Sequence, residues 1–194
     1  MRTALVLIMV AAMAAPTLAG DSPEVRLYID FDPPNYQYRF DTTVPYETVH
    51  AFLMSDCIPG GSTGVSCEVS ITPGLSIMSS YALRAGMLED TPGALITSGG
   101  VTLAGTCSLD DPQWLADITL LVASAATTGE ITITNSSVYP REHTDCHQPF
   151  ATVDMYCVLS HGGVNMDPTA SGEDCPCNSP VEESSWGTIK AMYR

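Results

Sequence analysis

The stretch Val25-Arg26-Leu27-Tyr28-Ile29-Asp30-Phe31-Asp32 alternates strictly. Val25, Leu27, Ile29 and Phe31 fall on one side of an extended chain, and Arg26, Tyr28, Asp30 and Asp32 on the other. Successive side chains leave an extended backbone on opposite faces, so period two with β-branched and aromatic residues marks a half-buried strand. The pattern recurs. Cys67, Val69 and Ile71 alternate with Glu68, Ser70 and Thr72; Ile118, Leu120 and Val122 form a third row; Ile131 and Ile133 alternate with Glu130, Thr132 and Thr134; Val153, Met155, Cys157 and Leu159 form a last one. Thr48 to Met54 is less polar and reads as a strand covered on both sides. Turn signals punctuate these runs: Asp32-Pro33-Pro34-Asn35, Pro59-Gly60-Gly61, Thr91-Pro92-Gly93, Ser98-Gly99-Gly100 and Asp110-Asp111-Pro112. Many short strands so punctuated, with no long helical period between Asp21 and Asn165, suggest a sandwich or barrel, and an all-β, antiparallel β-sandwich is the expected fold. Its apolar rows would meet in a core and its Thr, Ser and Asp rows would face water.

The two ends read differently. Arg2, the uncharged apolar run Ala4 to Ala15 and the small-residue site Thr17-Leu18-Ala19 have the order of a secretory signal peptide over residues 1–19, too short to span a bilayer. The sandwich domain is then 20–165. A Pro-, Ser- and acid-rich linker covers 166–180, and an amphipathic C-terminal helix 181–194. Ser179 caps that helix, Pro180 suits its first position, and Glu182 completes a Ser-x-x-Glu box. Trp186, Ile189 and Tyr193 share one face and are the residues through which the tail would dock. A secreted, extracellular or periplasmic protein is expected, with no transmembrane segment after the signal is removed.

The 194 residues carry 22 acidic and 7 basic side chains, a formal net charge of −15. That excess repels phosphate backbones and anionic membrane surfaces, so nucleic acid is excluded as a partner. An extracellular protein or a glycan remains.

Seven cysteines in an exported chain are first read as a disulfide framework, with one left over: Cys57, Cys67, Cys107, Cys146, Cys157, Cys175 and Cys177. Cys57 and Cys67 flank a short Gly-rich loop and are the first expected pair. Cys107 with Cys146 is the second, and Cys157 with Cys175 or Cys177 the third.

Several constellations hint at chemistry. Gly60-Gly61-Ser62-Thr63-Gly64 matches the Gly-x-Ser-x-Gly pattern of serine hydrolases, and His161-Gly162-Gly163 has the look of an oxyanion loop. The pattern works on a strained strand-to-helix turn, whereas a strand follows here, so a disulfide-closed loop is the better account. His143, Cys146, His147, Cys157 and His161 form a metal set on paper, without the closed four-ligand spacing of a zinc site. Asp30, Asp32, Asp110, Asp111, Asp154, Asp167, Glu173 and Asp174 are hard oxygen donors that suit calcium, but none lies in an Asp-x-Asx-x-Asx-Gly loop and they read as isolated surface acids. No cofactor is therefore assigned, calcium being the one the composition would suit. Trp114 and Trp186 with Tyr28, Tyr36, Tyr38 and Tyr46 are candidates for a sugar-stacking platform.

Two segments resemble known families. Leu115 to Val122 followed by Thr128 to Asn135 resembles the late strands of cohesin-like sandwich domains of exported bacterial proteins. The resemblance implies a jelly-roll-like sandwich that mediates extracellular protein binding, and it brings no catalytic residues. The tail Glu183 to Arg194 is similar to a Thr-Trp-Gly-x-Ile-Lys-x-Leu-Tyr-Arg ending on exported proteins of uncultured bacteria, with Ser185 in place of Thr and Met192 in place of Leu. Together these point to a non-catalytic binding or structural module. The alternatives are an exported hydrolase and a calcium-dependent adhesion module.

Overall fold

The computed structural model describes residues 25–58, 61–72, 74–77, 81–96, 100–136, 142–146, 152–154 and 161–170. The signal peptide, Met155 to Leu159, the cysteines Cys157, Cys175 and Cys177, the linker beyond Ala170 and the tail helix with Trp186, Ile189 and Tyr193 lie outside the described residues. The strands are β1 (Arg26–Asp30), β2 (Arg39–Phe40), β3 (Glu47–Asp56), β4 (Ser62–Ile71), β5 (Leu75–Ile77), β6 (Ala82–Leu83), β7 (Met87–Glu89), β8 (Val101–Ser108), β9 (Gln113–Val122), β10 (Gly129–Thr134), β11 (Glu142–Asp145), β12 (Thr152–Asp154) and β13 (Gly162–Val164). No helix occurs among the described residues.

The alternating rows sort these strands into two sheets. The smaller runs β1-β3-β9-β5, and β6 shares the outer edge of β9 with β5. The larger runs β12-β11-β4-β10-β13-β2, with β8 on the other side of β4 and β7 beyond it. Every pairing is antiparallel except β13 with β2. β10 and β11 lie end to end along one edge of β4, opposite Glu68 to Ile71 and Ser62 to Val65 respectively.

Between the layers the inward rows meet: Leu27, Ile29, Val49, Ala51, Leu53, Ile118 and Leu120 from the smaller sheet, and Val65, Val69, Leu103, Ile131 and Ile133 from the larger. Each buried aliphatic side chain contributes about 1.5–3 kcal/mol relative to its exposed state. Glycine lets the layers close. A Cβ on Gly162 would lie 2.5 Å from Ile29 Cγ2, across the core in β1.

Two sequence expectations are corrected here. β3 is not covered on both sides along its length, because Thr48 and His50 face away from the core and are exposed. β1 is instead buried along its whole length, including Arg26, Tyr28 and Asp30, which were expected to face water.

The cysteine framework also differs. Cys107 and Cys146 form a disulfide, 39 residues apart in sequence, with Cα atoms 5.4 Å apart. Cys57 does not pair with Cys67: Cys67 is a free thiol in the core, and Cys57 is disulfide-bonded to a partner outside the described residues. The reason is strand geometry. From Ser62 the extended β4 carries Cys67 about 16 Å along the sheet at its rise per residue, while a disulfide holds its Cα atoms within about 7 Å. Cys67 occupies an inward position and behaves as a small apolar side chain.

His143 in β11 opposes Val65 and shares its inward face. The ring is buried and neither nitrogen has a hydrogen-bond partner. Burial pushes its pKa down to about 4, against a smaller opposing pull from Asp145.

Two outcomes test this core. Burial raises the Cys67 thiol to about 12, so an alkylating reagent should leave it untouched in native protein and modify it after unfolding without reductant. Cys107 and Cys146 should need reduction first. Peptide mass mapping reads both, and native labelling of Cys67 would contradict its placement. For His143 the folded pKa of about 4 lies below the ordinary 6.5, so the unfolded chain takes up the proton first. Stability from the neutral ring is full above pH 6.5 and falls as pH drops toward 4, by at most about 3 kcal/mol. Melting temperatures of His143→Leu should be flatter across that window than those of the wild type; equal slopes would sink the account.

Candidate functional site

The outer side of the smaller sheet begins with a buried ion pair. Arg26 Nε donates to Asp56 Oδ1 at 2.9 Å, and Arg26 Nη2 closes the second arm on Oδ2. The guanidinium also lies 5.2 Å from the ring centres of both Tyr28 and Tyr36. Tyr28 stacks on Tyr36 at 5.3 Å and meets Tyr38 edge-on at 6.1 Å. Burial raises the pKa of all three phenols. These tyrosines pack on one another rather than side by side: Tyr28 has no exposed surface, and Tyr36 is 40% exposed with its ring against Tyr28 and Arg26. Tyr46 projects into solvent elsewhere, at the start of β3.

The loop that brings Tyr36 back over β1 is tied by one carboxylate. Asp30 accepts the backbone N–H groups of Asp32 (2.9 Å), Tyr36 (2.9 Å) and Gln37 (2.8 Å). The return places Pro33 and Pro34 beside the cross-strand row Tyr28–Met54–Trp114 and its neighbour Phe52. A second clamp acts on the far side. Asp111 Oδ1 accepts from Cys57 N–H (2.9 Å) and Oδ2 from Ile58 N–H (3.1 Å). This fixes Pro112, the opposite wall.

The result is a groove of about 300 Å³ bounded by Pro33, Pro34, Phe52, Met54, Pro112 and Trp114. Trp114 is 38% exposed. Adjoining the groove, and sharing Pro112 and Trp114 with it, is a polar hollow of about 320 Å³ lined also by Arg84, Asp110, Asp111 and Gln113. Arg84 Nη1 donates to Gln113 Oε1 at 2.6 Å. Gln113 is 3% exposed, and its amide nitrogen has no hydrogen-bond partner. Of the described residues considered for sugar stacking, Trp114 alone lines the groove, and Trp186 lies outside the described residues. Phe52, Met54 and Gln113 gave no local signal. The Asp-Pro-Pro and Asp-Asp-Pro turns did mark the two walls, read simply as turns.

The larger sheet presents a different outer face. In register, Leu88, Ala104, Gly64 and Thr144 form one row across β7, β8, β4 and β11. Thr102 opposes Ser66 in the next row, their hydroxyls 2.9 Å apart. Leu88 is 72% exposed. A shallow hollow of about 260 Å³ follows Gly64, Thr102, Ala104, Gly105 and Thr144.

The hydrolase pattern becomes a packing device. Ser62 is 2% exposed at the start of β4, with its Oγ 3.4 Å from the Gly64 carbonyl. Gly61 adopts a φ of +79°, and a Cβ there would meet Ser108 O at 2.4 Å and Cys146 Sγ at 2.9 Å. In the His161-Gly162-Gly163 segment a Cβ on Gly163 would strike the Met166 carbonyl at 2.1 Å. Of the metal set, His147 and Cys157 lie outside the described residues, and the other three are engaged elsewhere. Cys146 is committed to a disulfide, His143 faces the core, and His161 contacts Glu130 (3.2 Å) and the Ile133 carbonyl (3.1 Å). Among the described residues no group of three or more His, Cys, Asp or Glu side chains is placed to share an ion.

No family model matches the chain, and no curated protein does. Among solved structures the fold is similar to a type III cohesin module from the cellulosomal ScaE cell-surface anchoring scaffoldin of Ruminococcus flavefaciens, with a TM-score of 0.51 and 9% identity over 78% of this chain and 92% of that one. It is likewise similar to the sixth cohesin of scaffoldin B from Acetivibrio cellulolyticus, solved in complex with a mutant dockerin, with a TM-score of 0.50 and 15% identity over 73% of this chain and 98% of that one. At these identities the likeness is one of architecture: this chain is an all-β sandwich with the cohesin-type fold.

Proposed function

We propose that this chain is an exported, non-catalytic binding module that docks a protein partner on the outer face of its larger sheet. The observation that carries the reading is the row Leu88–Ala104–Gly64–Thr144, which runs across four strands with small side chains around one exposed leucine. Such a surface lets a flat partner approach the sheet closely and buries apolar area at its centre. The similarity to a cohesin solved with a dockerin bound supports a protein as the occupant. Export draws support from the signal-like first residues, the Cys107–Cys146 disulfide and the acidic composition. The hydrolase alternative loses its nucleophile, because Ser62 is buried within a strand.

A photo-crosslinking side chain placed at Ala104 should capture one protein from the secreted fraction of the source organism. The same group at Thr119, on the outer face of the smaller sheet, should not. Ala104→Arg should weaken binding of the captured protein at least tenfold in a titration. Equal capture at both positions, or binding unaffected by Ala104→Arg, would overturn the assignment.

A further inference from the structure

The groove on the opposite sheet is built for a different kind of ligand. Trp114 is not an isolated exposed aromatic but the shared wall between an apolar channel and a polar hollow. One side offers Phe52, Met54 and the three prolines; the other offers a guanidinium, two carboxylates and a side-chain amide. Each hollow is at the lower end of the size range of small-ligand sites. A ligand that suits both must be amphipathic on the scale of a single ring. A pyranose has that character, with a C–H face that stacks on an indole and hydroxyls around its edge. Planar amide, carboxylate and guanidinium groups match neighbouring hydroxyls in pairs. The amide nitrogen of Gln113, buried and without a partner, is a donor left open at this spot.

We propose that the Trp114 groove binds a neutral polysaccharide, one sugar ring stacked on the indole with its hydroxyls directed toward Asp110, Gln113 and Arg84. Charge selects neutral over anionic sugars, since Asp110 and Asp111 lie in the hollow of a chain whose net charge is −15. Binding without cleavage follows from the second carboxylate. Glycoside hydrolysis needs two carboxyl groups flanking the bond. Both oxygens of Asp111 accept backbone N–H groups, and Asp110 Oδ2 accepts the Ser108 hydroxyl at 3.1 Å, which leaves the hollow one carboxylate oxygen, Asp110 Oδ1, to meet a sugar. The site lies on the sheet opposite the proposed protein-docking face, so it stands or falls independently of that reading.

The test is affinity electrophoresis of the full chain in gels containing xylan, mixed-linkage β-glucan, galactomannan or, as the anionic control, polygalacturonate. Retardation is expected in at least one neutral polymer and not in polygalacturonate. Trp114→Ala should weaken it at least tenfold, and Ala104→Arg should leave it unchanged. Should Trp114→Ala fail to fold by circular dichroism, Trp114→Phe and the exposed-site variant Asp110→Asn read the same groove, each with an expected loss of threefold or more. A proline-rich peptide titrated by tryptophan fluorescence covers the rival occupant of an aromatic channel. No retardation by any neutral polymer, retardation indifferent to these variants, or response to the peptide alone would overturn the proposal.

Discussion

A buried carboxylate, Asp30 at the end of β1, organises the outer side of the smaller sheet. Taking an ionised group out of water is costly unless it is fully paired. Here three backbone N–H groups converge on it, and such charge-assisted bonds are shorter and stronger than neutral ones. The loop they gather has no other regular structure to satisfy those donors. Once tied, it lays Tyr36 on Tyr28 and holds Arg26 against both rings, with Asp56 completing the ion pair. Removing one member of a buried pair of this kind costs about 3–5 kcal/mol, because the other is left uncompensated. β1 thereby has both faces covered, and the prolines of its loop become a wall.

The same device recurs where other loops leave the sheets. Asp111 takes the N–H groups that follow β3. Glu130 takes the Thr169 N–H (2.6 Å) and hydroxyl (2.7 Å) together with His161, so residues beyond β13 stay bound to β10. Burial alone would raise the Glu130 pKa; the bonds from Thr169 and His161 reverse that and hold it below the ordinary value. The described residues hold no helix, and turns leave many backbone donors in need of acceptors. Part of the acidic excess therefore serves the fold.

Period-two rows made the sheets readable. The inward residues of β1, β4, β9 and β10 are those that the alternation of apolar residues picks out, because a strand's faces are set by its own backbone. Which outward rows stay wet was not readable, since a neighbouring loop decides it. Arg26 and Tyr28 are covered by Tyr36, whereas His50 is left exposed, with Asp117 at 2.9 Å and the Phe52 ring beside it. The Cys57–Cys67 expectation failed for a related reason: closeness in sequence is not closeness in space once a strand extends. The groove was half legible. Trp114 and the proline turns stood out, but Phe52 and Met54 join them only through the β3–β9 register, and that pairing spans more than sixty residues of chain.

The Cys107–Cys146 bridge has a reach beyond the two strands it joins. Both ends lie on the larger sheet, at β8 and beside β11, yet the 39-residue ring it closes contains β9 and β10. One of those is an interior strand of the smaller sheet and the other an interior strand of the larger. Closing a ring of that size removes about 4 kcal/mol of conformational freedom from the unfolded chain. A single covalent link in one layer thus biases the chain toward assembling both, and its reduction would loosen the sandwich as a whole rather than fray one edge.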